Sequence, residues 1–160
     1  MTMTLEQALP MAKGPCSRQT LQYSFVMRDL VAKAKQPGFT TADWAPLAAL
    51  VATDEFVRVG NFRERVSWSQ YEELLTMWAK ATYWDFTVRR VTEGDGYAIL
   101  ELEEYAKYPD REETYGSVSV YEFDAANKLR HLEIYLSRAE EIGAAQIHSW
   151  DWEEVSAEIV

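Results

Sequence analysis

From Tyr83 to Leu136 the sequence falls into four long runs in which apolar and polar residues alternate, separated only by short polar connections. A period of two marks a strand with one face buried. The runs are Tyr83–Val91, Tyr97 to about Lys107, Thr114–Phe123 and Leu129–Leu136. Gly94-Asp95-Gly96 makes a tight reversal, Tyr108-Pro109-Asp110-Arg111 a turn, and Asp124-Ala125-Ala126-Asn127 another. Connections this short join antiparallel neighbours, so the four runs predict an antiparallel meander. Strands of about ten residues exceed the usual length of about five or six. Such a sheet has to curl, and a curled sheet laid over helices encloses a cavity.

The first half of the chain supplies those helices. Ser17 can cap a helix running to about Lys35, with Tyr23, Val26, Met27, Leu30, Val31 and Ala34 on one face. Pro37-Gly38 stops it. Thr40 or Thr41 opens a shorter helix that aligns Trp44, Leu47 and Val51. Phe56-Val57-Arg58-Val59 reads as a short strand ending at Gly60. Ser67-Trp68-Ser69-Gln70 has the form of a capping box for a third helix, with Tyr71, Leu74, Leu75 and Trp78 as its buried stripe. Helix, helix, strand, helix and then four strands define an α+β domain with helices gathered on one face of a curved antiparallel sheet. Residues 1–15, with Pro10, Gly14 and Pro15, read as an N-terminal arm. Residues 16–137 form the domain. Residues 138–160, with Trp150 and Trp152, read as a C-terminal tail expected to cover the pocket or a partner subunit.

At 160 residues the chain predicts one domain with a real core. Its formal net charge of -10 repels phosphate backbones and anionic lipid, so nucleic acid and membrane surfaces are not the predicted partners. The single cysteine, Cys16, allows no internal disulfide, and no signal pattern precedes it. A cytoplasmic location is the expectation. Ligand spacings for zinc, phosphate-binding glycine loops and a nucleophile elbow are all missing, so neither metal nor organic cofactor is expected. Aromatic residues make up 13% of the chain, enough to fill a core and also to wall a pocket for a flat ligand.

Two stretches carry a family resemblance. Phe56-Val57-Arg58-Val59-Gly60 precedes the third helix, and Val118-Ser119-Val120-Tyr121-Glu122-Phe123-Asp124 is followed by Lys128-Leu129. With the element order, they make roughly residues 17–137 resemble the nuclear transport factor 2-like superfamily, and within it the SnoaL-like proteins. The resemblance implies a cone-shaped pocket between sheet and helices, chemistry by a few carboxylates, Tyr, His or Arg without metal or organic cofactor, and dimers packed through the sheet. It also implies that Ser119 and Tyr121 share the concave face with Phe123, while Val118 and Val120 face the other way. Ketosteroid isomerase, a member of the superfamily, has an acidic hydrogen-bond donor where this chain has Ser119, and a general base near the position of Arg58. Only the helical tyrosine, Tyr23, has a counterpart. The isomerase constellation is therefore not reproduced. The superfamily also includes non-catalytic proteins, so fold does not settle function.

The residues themselves leave one question open. In Ile99-Leu100-Glu101-Leu102-Glu103-Glu104-Tyr105, alternation puts Glu101 and Glu103 on one face beside Ile99 and Tyr105. Turned inward they are an acid and base pair in an aromatic interior; turned outward they are solvated charges. On the inward reading Glu103, Glu101, Arg58 and Tyr121 are the catalytic set. Arg58 either snorkels to the rim or binds a substrate oxygen. Tyr23, Trp44, Phe56, Trp78, Tyr97 and Ser119 are the candidate substrate-binding wall. His131 is expected on the convex face, and His148 lies in the tail. The expected function is acid/base chemistry (elimination, isomerisation or cyclisation) on a hydrophobic aromatic or polycyclic small molecule. The alternative is a non-catalytic ligand-binding or dimeric interaction module of the same fold.

Overall fold

A computed structural model describes residues 1–137 of the chain; the predicted tail, with His148, Trp150 and Trp152, lies outside the described residues. Four helices, α1 (Leu5–Ala8), α2 (Pro15–Lys33), α3 (Ala45–Ala48) and α4 (Trp68–Ala81), accompany six strands. The strands are β1 (Val57–Val59), β2 (Arg65–Val66), β3 (Tyr83–Glu93), β4 (Tyr97–Lys107), β5 (Glu112–Phe123) and β6 (Leu129–Ser137). They form one open sheet in the order β2-β1-β6-β5-β4-β3. The meander β3 to β6 is antiparallel throughout. The whole sheet is mixed rather than antiparallel, because β1 runs parallel to β6, with Arg58 opposite Leu132. β2, two residues long, had no readable period.

Two irregularities help curl the sheet. Val88 pairs with Leu102 and Arg90 with Glu101, so Arg89 is an extra residue in β3. A second shift sits between Glu122 and Phe123. Such bulges bend a strand and increase its twist. The β3–β4 reversal needs a left-handed residue, and Gly96 supplies it at φ 74. In the β5–β6 turn Asn127 takes φ 58, a conformation its short polar side chain tolerates.

The helices fill the concave side. α4 begins as the sequence implies: the Gln70 amide donates to Ser67 Oγ, and the Ser67 amide to Gln70 Oε1 at 2.9 Å. α2 does not begin at Ser17. Gly14 is its N-cap, Pro15 its first helical residue, and Ser17 lies two residues further in. The reason is long-range. The Glu93 carboxylate, at the end of β3, accepts the amides of Cys16 at 3.0 Å and Ser17 at 2.5 Å, doing the work of a local cap. The second predicted helix is a 3-10 turn over Thr41–Trp44 continuing into α3.

The N-terminal residues 1–15 pack as part of the domain. Met3 exchanges two 2.8 Å backbone hydrogen bonds with Val88, and Leu5 is fully buried. They shield part of the outer edge of β3, an edge otherwise free to pair with another chain. The core behind the sheet gathers Leu21, Val31, Trp44, Leu47, Leu100 and Leu132.

Candidate active site

Strand parity decides which acid can do chemistry. On β4 the buried set is Ala98, Leu100, Leu102, Glu104 and Ala106. Glu101 and Glu103 therefore face away from the helices, which overturns the inward reading on which their catalytic role depended. Each is paired across to β3. Arg90 holds both oxygens of Glu101, and Arg89 Nη2 donates to Glu103 Oε2 at 2.9 Å. The hydrogen bond from Arg90 holds the Glu101 carboxyl below the ordinary range. Those two charges dress the convex face with Val118, Val120, His131 and Tyr135.

Glu104 is the acid on the concave face, 8% exposed. The Trp84 indole N–H donates to its Oε2 at 2.7 Å, and the Tyr115 hydroxyl donates to the same oxygen at 3.2 Å. Among the described residues no Lys, Arg or His lies within ion-pair distance of it. Glu104 borders a cavity of about 360 Å³, a size that holds a small molecule. The sheet contributes Leu102, Ser119, Tyr121, Leu132 and Ile134. α2 contributes Tyr23, Ser24 and Met27, and α4 contributes Tyr71, Leu74, Leu75 and Trp78.

Arg58 enters from β1 on the same wall. Its guanidinium stands 5.0 Å from the Tyr71 ring centroid and makes a long 3.4 Å contact to Glu64 Oε1. Its Nε is buried without a hydrogen-bond partner among the described residues. Glu64, near the rim, is a weak counter-charge, so the positive charge of Arg58 is incompletely compensated. Tyr23 and Tyr121 meet edge to face, with centroids 5.7 Å apart. Burial pushes both phenols above their ordinary pKa. Protonated phenols of this kind can offer O–H donors, not bases, to a ligand. The Tyr23 hydroxyl makes no hydrogen bond of good geometry among the described residues, although Tyr71 is near enough to influence its titration. Glu104 and Arg58 both act electrostatically on Tyr121, so the acid, the cation and the phenol share one field.

Of the remaining predicted positions, Arg58, Tyr121, Tyr23, Trp78 and Ser119 line the cavity. Three do not. Trp44 has no exposed surface and donates from Nε1 to Thr76 Oγ1 at 2.9 Å, which makes it core. Phe56 stacks behind Tyr71 at 5.9 Å, one layer back from the cavity. Tyr97 is half exposed at the β3–β4 hairpin and lies over Gly94, whose missing side chain makes room for its ring. His131 lies on the convex face, 3.8 Å from Glu133 Oε2. Sequence reasoning missed Glu104, Trp84, Tyr115 and Tyr71. The one hint of Glu104, its shared parity with Leu100 and Leu102, is offset by Ile99 and Tyr105 on the other face. Among the described residues no group of three or more His, Cys, Asp or Glu is placed to hold a metal ion. No described helix is long and apolar enough to cross a membrane.

Known structures share this fold. A candidate SnoaL-like polyketide cyclase from Jannaschia sp. CCS1 superposes with a TM-score of 0.58 at 10% identity, over 78% of this chain and 90% of that one. An NTF2-like protein of unknown function from Exiguobacterium sp. 255-15 gives 0.58 at 13% identity, over 73% and 99%. The chain has the nuclear transport factor 2-like fold. An LEH-like epoxide hydrolase of M. tuberculosis shares this fold with a TM-score of 0.52 at 12% identity, over 69% and 83%. No protein-family profile matches the sequence, and no curated protein does. In this NTF2-like domain the cavity occupies the hollow between the curved sheet and helices α2 and α4.

Proposed function

We propose that the protein is an enzyme that moves a proton on a hydrophobic small molecule, with Glu104 as the acid/base group. One observation carries the reading: a buried carboxylate borders an aromatic cavity with no cationic side chain in ion-pair reach among the described residues. A carboxylate bordering the cavity can take up a proton from a bound carbon or hydroxyl acid. Among the described residues both hydrogen bonds to Glu104 go to Oε2, which fixes the group's orientation, and we assign Oε1 to the ligand. Negative charge that develops on a substrate oxygen meets Arg58 and the protonated Tyr121 and Tyr23. The apolar walls, Leu75, Leu102, Leu132 and Trp78, exclude water and strengthen these interactions.

Elimination, enolisation and cyclisation all fit this set of groups. Two structural neighbours bear the names of an LEH-like epoxide hydrolase and a candidate SnoaL-like polyketide cyclase. At about a tenth identity they support the fold and nothing narrower. The test is deuterium incorporation next to the carbonyl of an aryl ketone such as tetralone, followed by NMR in heavy water. The wild type is expected to exchange faster than buffer, and Glu104→Gln to lose roughly 10²–10⁴-fold of that acceleration while still binding ketone. Equal exchange by Glu104→Gln refutes the assignment. Ketone binding without exchange by either protein points instead to a non-catalytic carrier.

A further inference from the structure

The surroundings of Glu104 carry information about the ligand beyond proton transfer. Trp78 and Trp84 stand with ring centroids 5.8 Å apart and planes inclined at 68°. Two indoles at that angle form adjoining walls of a box. Tyr115 adds a third ring from β5, and the Glu104 carboxylate forms the remaining polar side, tied to both Trp84 and Tyr115. All four residues border the cavity. Aromatic faces carry negative quadrupole potential, and a carboxylate among them adds full charge, so every wall attracts a cation. Buried charges in proteins are paired as a rule, and the charge opposite this carboxylate is not supplied by any described side chain.

The geometry points to an alkylammonium subsite: the ligand carries a basic, alkylated nitrogen that seats between Trp78, Trp84, Tyr115 and Glu104. The rest of the ligand then extends along Leu102 toward Tyr121. At the far side Arg58 is the opposite case, a cation with an orphaned Nε and one weak acidic neighbour. In the sheet, β5 and β6 lie between the strand bearing Glu104 and the strand bearing Arg58. Three interstrand steps amount to roughly 14 Å of backbone separation. A ligand with an ammonium group at one end and an oxygen acceptor at the other matches both. The inference takes from the proposed function only that this cavity is the ligand site; it does not require Glu104 to act as a base.

The experiment compares benzyltrimethylammonium with its neutral isostere neopentylbenzene. Titrations of the full chain are followed through the Trp84 indole N–H resonance, which reports directly on the hydrogen bond to Glu104. The cation is expected to bind at least about tenfold more tightly than the isostere. Glu104→Gln keeps an oxygen for Trp84 and should abolish that preference while leaving the neutral probe within about twofold. Trp78→Leu, which removes one aromatic wall but none of the hydrogen bonds to Glu104, should reduce the preference independently. Equal or tighter binding of the neutral probe by the wild type overturns the inference, as does a Glu104→Gln loss that is the same for both probes. Loss of ketone exchange in Glu104→Gln without any cation preference would sink the subsite alone. A cation preference without ketone exchange would sink the acid/base reading alone.

Discussion

Glu93→Gln removes one negative charge at the place where the end of β3 meets the start of α2, and its consequence for stability can be worked out from the contacts. The carboxylate takes two backbone amides, Cys16 at 3.0 Å and Ser17 at 2.5 Å, that have no partner within the helix. Burial alone would raise the pKa of Glu93; the bonds from Ser17 and Cys16 outweigh it and hold the group below its ordinary value. A hydrogen bond to a charged group is worth about 1.5–3 kcal/mol net, against about 1 for a neutral one. Gln has a single carbonyl oxygen, so one amide keeps a neutral bond and the other goes without. Loss of the favourable carboxylate–dipole interaction adds about 0.3–1 kcal/mol. The sum, discounted for partial exposure, is about 2 kcal/mol. For a domain of this size that lowers Tm by roughly 4–8 °C.

Urea unfolding followed by circular dichroism measures the difference, with Glu73→Gln, an exposed position on α4, as the control for net charge. The pH dependence has a definite sign. The folded pKa is depressed, so the contribution of Glu93 is complete above the free-carboxylate value of about 4.3 and is lost as pH falls through the folded value. The gap between wild type and Glu93→Gln should therefore be widest near neutrality and close in acid. A gap that stays constant down to roughly pH 3, or that is missing at neutral pH, refutes the charged-cap argument. Gly14→Ala gives an independent check, since a methyl group there would sit 2.6 Å from the Glu93 carboxylate and push it off the amides.

Four further outcomes are expected. The double variant Glu101→Gln/Glu103→Gln should bind ligand and exchange ketone protons as the wild type does, because both carboxylates lie on the convex face; a lost activity would contradict the face assignment. Ser119→Leu places a branched side chain in the cavity and should abolish probe binding while the thermal midpoint changes little; normal titration curves would mean the ligand sits elsewhere. Gly96→Ala forces a side chain into a left-handed turn and should cost about 1 kcal/mol in urea unfolding, with no loss meaning that the hairpin relaxes. We also propose that two copies pair through the convex face around Val118 and Tyr135, where both side chains are half exposed. Val118→Glu should then convert a sedimenting dimer to monomer, and a wild type that is monomeric at high concentration would end that proposal.

Why the strands were legible and the acid was not follows from how each is encoded. Strand identity depends on period, and the run Tyr97–Lys107 declares its period over its full length. Face identity depends on which of two interleaved sets is the more apolar, and here the sets are nearly balanced. Ile99 and Tyr105 accompany Glu101 and Glu103; Ala98, Leu100, Leu102 and Ala106 accompany Glu104. Ile99 and Tyr105 are larger than the alanines on the buried side, so side-chain size argues for the wrong face. What breaks the tie is across the sheet: Arg90, paired opposite Glu101, and Arg89, the extra residue of the β3 bulge, whose side chain reaches Glu103 although Thr87 is that residue's pairing partner. A bulge moves one strand's register by a residue, and nothing in the alternation of β4 reveals a shift that occurs in β3. The same reasoning explains the start of α2. Ser17 has the chemistry of a cap, yet the two amides are met by Glu93, 76 residues away from Ser17. On the cavity wall the aromatic residues Tyr23 and Trp78 were legible because helical spacing places them on the packed faces of α2 and α4. Trp84 was not, because its role depends on a hydrogen bond to β4 that pairing alone creates. The site is thus readable where a residue's own element fixes its direction, and unreadable where a neighbouring strand's register fixes it. Glu104 is the residue for which that distinction decides the chemistry.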